Sequence, residues 1–130
     1  MKKYGYSPES WSALKNEIRS ILIRAATSVE QTISYTDLAE TVQSACLKPF
    51  SQPLFAALTE LSEEEDTAGR GMLSAVVIRK DRRKTRKSGF IKLAARRGRD
   101  VTNVRECWDA EIERVCNYWC AHGAKITHLS

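Results

Sequence analysis

A chain of 130 residues, 42% hydrophobic and 28% charged, has the size and composition of one folded domain and is not a disordered polyampholyte. No apolar run approaches the ~20 residues needed to cross a bilayer, and the basic N-terminus lacks the apolar core of a signal peptide, so a cytoplasmic, nucleoid-associated protein without membrane contact is expected. The formal net charge of +5 is unevenly spread: eleven Lys or Arg and one acid, Asp81, lie between Arg79 and Arg99, and the rest of the chain is net acidic. A mildly acidic body carrying one concentrated basic element favours a polyanionic partner.

After a loose start, Ser7-Pro8-Glu9 has the form of a helix N-terminus: a capping hydroxyl, a proline at the first helical position and an early acid. Trp11, Leu14, Ile18, Ile21, Leu22 and Ala25 then recur at helical spacing, which predicts an amphipathic helix over residues 8–26 with Lys15, Glu17, Arg19 and Arg24 off the stripe. Residues 32–35 are short and β-leaning. Ser34 or Thr36 can cap a second short helix that ends near Ala45 or Cys46. Pro49 marks a turn, and Ser51 opens a third helix carrying Leu54, Phe55, Leu58 and Leu61. Ser62-Glu63-Glu64-Glu65 has the pattern of a capping box and predicts a fresh helical turn, with the acids as a solvated face. Residues 66–71 read as a flexible loop.

Two β-leaning runs, Met72–Arg79 and Gly89–Ala95, flank the basic connector Lys80–Ser88, and strand, turn, strand is the expectation. A last helix is predicted over residues 103–121, capped by Asn103, with Val104, Cys107, Trp108, Ile112, Val115 and Trp119 on one stripe, stopped by Gly123 and followed by an extended tail. The resulting order defines an α+β fold, a single domain over residues 1–130. Its expected winged helix-turn-helix core spans residues 33–95 with a β-hairpin wing, and the flanking N- and C-terminal helices either complete the core or build a homodimer.

The segment Ile33-Ser34-Tyr35-Thr36-Asp37-Leu38-Ala39 resembles the strand-to-helix junction of prokaryotic winged-helix domains, including the DNA-binding part of alkyltransferase-like proteins. That resemblance implies a fold and no repair chemistry, because the Pro-Cys-His-Arg motif of the repair enzymes is missing: Cys46 is followed by Leu47-Lys48-Pro49. Residues 69–77 together with 89–94 are similar to a wing module of small microbial proteins.

Catalytic and metal chemistry finds little support. Cys116, Cys120, His122 and His128 lack the paired turn spacing of structural zinc. Neither histidine stands in a segment that would orient a thiol as nucleophile. Consecutive acids on a helix point in different directions and do not converge on a metal. Gly69-Arg70-Gly71 lacks the Gly-Lys-Ser/Thr of a phosphate loop. No cofactor and no enzymatic activity is expected, and with four scattered cysteines no disulfide framework. Nucleic-acid binding remains. Its expected residues are Arg82, Arg83, Lys84, Arg86 and Lys87 at the tip of the wing, Arg79, Lys80, Arg96, Arg97 and Arg99 along its base, and Ser51, Gln52 and Thr59 on the third helix. Arginine's fork suits phosphate and guanine edges. Duplex DNA is the preferred partner, bound mainly by the wing with modest sequence specificity. RNA, or a protein docked through the helices and the acidic stretch, are the alternatives.

Overall fold

The computed structural model describes residues 4–49, 51–78 and 88–129, with side chains apart from those of 88, 89 and 122–129. The first helix, α1 (Pro8–Ala26), starts where the local chemistry requires: the Ser7 hydroxyl accepts the N–H of Ser10 at 3.1 Å. Its stripe of Trp11, Leu14, Ile18, Ile21, Leu22 and Ala26 is buried. A two-residue strand, β1 (Ile33–Ser34), leads into α2 (Tyr35–Thr41), which Ser34 caps by accepting the N–H of Asp37 at 3.0 Å. This helix ends at Thr41, earlier than its apolar spacing suggests. The carboxylate of Glu17 on α1 accepts the N–H groups of Gln43 at 2.7 Å and Ser44 at 3.1 Å, which draws the chain out of helical register. Val42 accordingly takes an extended conformation with ψ 126°.

The third helix, α3 (Gln52–Thr67), is continuous through the four acids. No new turn starts at Ser62. Its hydroxyl is buried and bonded to Ser74, receiving the Ser74 N–H at 2.9 Å, so it ties α3 to the following segment rather than capping anything. A 3-10 turn (Leu73–Val76) and a second two-residue strand, β2 (Val77–Ile78), come next. Past the basic segment lies α4 (Ser88–Arg96), and the chain closes with the long α5 (Val104–Leu129).

The expected hairpin wing is overturned on two counts. First, β1 and β2 pair with each other in parallel, Ile33 opposite Val77 and Ser34 opposite Ile78. Second, residues 89–95 belong to a helix, not a strand. Phe90, Leu93 and Ala94 stand at the three-and-four spacing that a helix brings to one face, and all three are buried. The β-leaning character of Phe and Ile gives way to that packing, as β-propensity commonly does when no partner strand is available. The described residues thus form an α+β, mostly helical fold with one small parallel sheet. The basic segment itself, residues 79–87, lies outside the described residues.

Helix α5 also departs from expectation by running past Gly123 to Leu129. A glycine inside a helix costs only about 1 kcal/mol relative to alanine, which flanking turns can absorb. Asn103 caps this helix as expected, accepting the N–H of Glu106 at 3.1 Å.

Two apolar clusters hold the elements together. The larger joins the stripes of α1, α2 and α3 to Leu73, Val76 and Val77, and to Val115, Cys116 and Trp119 of α5. The terminal helices therefore share one core within a single chain. The smaller cluster seats α4: Phe90, Leu93 and Ala94 pack with Met72, Ala75 and Cys107. Within the smaller cluster, Trp108 donates its indole N–H to the carbonyl of Ala75 at 2.8 Å. Each fully buried Leu or Ile contributes roughly 2 kcal/mol. No helix among the described residues is long and apolar enough to cross a membrane.

Candidate nucleic-acid interface

The acidic run on α3 is not a solvated face. Lys15 and Arg19, one turn apart on α1, meet Glu60 and Glu64, one turn apart on α3. Lys15 bonds Glu60 at 3.0 Å and also reaches Glu64, and Arg19 bonds Glu64 at 2.8 Å. Glu60 additionally accepts the indole N–H of Trp11 at 2.9 Å. Burial works against the charge on Lys15, but its bonds to Glu64 and Glu60 prevail and raise its pKa above the ordinary value.

Two helix ends repeat one device. Gly69, at φ +81°, turns the chain after α3 so that the Arg70 N–H returns to the Glu65 carbonyl at 2.9 Å. Gly98, at φ +88°, does the same after α4, returning the Arg99 N–H to the Ala94 carbonyl at 2.9 Å. Both are left-handed glycine caps, and each throws the arginine that follows it back onto a buried glutamate. Arg70 forks onto Glu65 at 2.8 and 2.9 Å, and Glu65 is fully buried. The bond to Glu65 raises the pKa of Arg70 despite partial burial. Arg99 forks onto Glu111, itself 1% exposed, at 2.9 and 3.1 Å, and also bonds Asp66 at 2.6 Å. Glu111 further accepts the Met72 N–H at 2.7 Å and a bond from Arg114. Its bonds to Glu111 and Asp66 hold the Arg99 guanidinium firmly charged. Two acids of the run and one of α5 are therefore the internal counter-ions of arginines that the sequence assigns to loops and to the basic patch.

The expected interface residues accordingly divide. Arg79, Lys80, Arg82, Arg83, Lys84, Arg86 and Lys87 fall outside the described residues. Arg96 is exposed. Arg97, one residue later, is half-buried; it bonds Asp66 at 2.9 Å and the Thr67 hydroxyl at 2.9 Å, so it anchors the end of α4 to the end of α3. Gln52 is exposed at the front of α3, with Ser51 and Thr59 half-buried beside it. The Ser51 hydroxyl gives no helix-capping bond and donates to the Lys48 carbonyl at 2.9 Å. Lys92, absent from the expected set, is exposed one turn before Arg96, with Ala95 exposed between them. Neither Lys92 nor Arg96 makes an ion pair among the described residues.

An open groove of about 440 Å³ runs beside the start of α5, lined by Arg99, Asn103, Glu106, Cys107, Glu111 and Arg114. Its arginines are already engaged by Glu111 and Asp66, which leaves it little free charge for a ligand. Burial pushes the Cys107 and Cys116 thiols up, away from the thiolate form. Cys116 faces the core and Cys120 faces solvent, so these two thiols do not converge on one ion. Among the described residues no group of three or more potential ligands gathers around a metal position. Comparison of the chain with protein-family models, with curated proteins and with solved structures found no match.

Proposed function

We propose that the protein is a non-enzymatic factor that binds double-stranded DNA, a small transcriptional or accessory protein whose basic segment Arg79–Lys87, continued by Arg96, supplies most of the contacts. One observation carries this: the charges are sorted. Five acids of the body, Glu60, Glu64, Glu65, Asp66 and Glu111, are paired from within by Lys15, Arg19, Arg70, Arg97 and Arg99. Seven cations with one acid remain together between Arg79 and Lys87, beside an α4 that contains no acid. A local field of that kind attracts a phosphate backbone. The order α1, β1, α2, α3, β2 ahead of the basic segment is compatible with this reading, in which residues 79–87 would serve as the wing-like contact. Protein docking through the acidic stretch has less support, because Glu60, Glu64 and Asp66 already have internal partners. A homodimer would need a surface other than the stripes of α1 and α5, which share one core.

The test is binding of a labelled 24-base-pair duplex across a salt series, with duplex RNA and single strands as competitors. Log affinity should fall with log salt by several units, about 0.9 for each phosphate neutralised. Replacing Arg82, Arg83, Lys84, Arg86 and Lys87 together by alanine should flatten the slope and remove most binding without changing the circular dichroism. Unchanged affinity in that variant overturns the proposal, and preference for RNA redirects it.

A further inference from the structure

Helix α4 is the only helix that follows directly on the basic segment, and its geometry suits a groove of DNA. We infer that α4, not α3, lies in the major groove, with Lys92 and Arg96 as its contact residues; this rests on the proposal that the protein binds duplex DNA. The front of α3 offers Gln52, Phe55 and Thr59 and no cation, and the acids of its second half are locked onto α1 and the two glycine-capped turns. α3 thus brings no cation to a phosphate, whereas α4 brings two. Its nine residues carry two cations and no acid. Lys92 and Arg96, one turn apart, share an exposed face with the small side chain of Ala95 between them, which lets the helix axis come close to a surface.

The opposite face is fixed. Phe90, Leu93 and Ala94 are buried on Met72, Ala75 and Cys107. The C-terminal end is held by the Gly98 cap and by the bonds of Arg97 and Arg99 to Asp66. An α-helix with its side chains is about 10–12 Å across, comparable with the ~12 Å width of the major groove and too wide for the ~6 Å minor groove.

The experiment compares three proteins on the same 24-base-pair duplex: wild type, Lys92→Ala with Arg96→Ala, and Gln52→Ala with Thr59→Ala. Lys92, Arg96 and Gln52 are exposed and Thr59 is half-buried, so melting temperatures of both variants are measured alongside. The α4 variant should bind at least tenfold more weakly at 0.1 M salt, with a salt slope smaller by about 1.8 for two lost phosphate contacts. The α3 variant should match wild type. Methyl green, which occupies the major groove, should displace the protein, and the minor-groove ligand netropsin should not. Wild-type affinity and slope in the α4 variant, or loss of binding in the α3 variant alone, overturns the assignment of α4 while leaving DNA binding intact. Displacement by netropsin alone overturns the groove. A wild-type protein that binds no duplex at low salt overturns both this inference and the function it rests on.

Discussion

Replacing Glu111 by glutamine tests whether the buried counter-ions hold this fold together. The substitution keeps the shape of the side chain and removes its charge. In the native protein the carboxylate is 1% exposed and receives the Met72 N–H at 2.7 Å, two bonds from Arg99 at 2.9 and 3.1 Å, and one from Arg114. Glutamine has one acceptor oxygen, and its NH₂ group would face donors. Removing one partner of a buried ion pair costs about 3–5 kcal/mol. Arg99 retains Asp66 at 2.6 Å, which places the loss at the lower end, about 3 kcal/mol. For a chain of this length that corresponds to a fall in Tm of roughly 10 °C. Urea titration followed by circular dichroism should show a lower midpoint with unchanged slope. Glu113→Gln, two residues along α5 and exposed, is the control and should stay within about 0.5 kcal/mol of wild type. A Glu111→Gln protein as stable as Glu113→Gln would refute the claim that Glu111 anchors Arg99 and the Met72 turn.

Two further outcomes follow from the same region. Gly71→Ala places a methyl group 3.0 Å from Val115 Cγ2 and 3.2 Å from Glu111 Oε2, at φ +91°, so backbone strain and overpacking together should cost about 3 kcal/mol. Gly98→Ala, at φ +88° with nothing within 4 Å, should cost only the backbone part, about 1–2 kcal/mol; equal losses by urea titration would contradict the close approach at Gly71. Stability should also fall in acid. Burial works against the charge on Asp66, but bonds from Arg99 and Arg97 hold its pKa below the ordinary 3.8, so its stabilisation is present above that pH and is lost as pH falls through the lower, folded value. Asp66→Asn should therefore flatten the acid limb of a urea-midpoint profile between pH 2 and 5, and an unchanged limb would show that the Arg97 and Arg99 bridges contribute nothing.

How far the sequence discloses this structure depends on how local the cause is. Ser7, Ser34 and Asn103 act within four residues of themselves, and the caps they predict are the caps observed. The α1 stripe is likewise a local periodicity. The parallel pairing of β1 with β2 joins residues as far apart as Ile33 and Val77, and two-residue strands leave no periodic trace. α4 was hidden by composition: Phe90, Ile91 and the valines upstream favour a strand, although Phe90, Leu93 and Ala94 already stand at helical spacing. Glu111 carries a signal in retrospect, an acid four residues after Cys107 and four before Val115 on the inward stripe of α5. The dipeptides Gly69-Arg70 and Gly98-Arg99, each after a helix, are a second one. Neither signal names its partner, because that depends on which helices meet.

The basic stretch shows what this costs a reading based on charge alone. Arg96 and Arg97 are neighbours in sequence, but one step along a helix rotates the side chain by about 100°. Arg96 is exposed and Arg97 is turned to Asp66. Three residues on, the Gly98 cap sends Arg99 to Asp66 and Glu111. Of the four described cations in this stretch, Arg97 and Arg99 serve the fold, and Lys92 and Arg96 stand exposed. The edge of the candidate interface is therefore drawn by the end of α4 and not by where the basic composition stops. Alanine at Arg97 or Arg99 should act on stability, whereas alanine at Lys92 or Arg96 should act on binding. A charge count that ignores this division overstates the candidate interface and mistakes a structural ion pair for part of it.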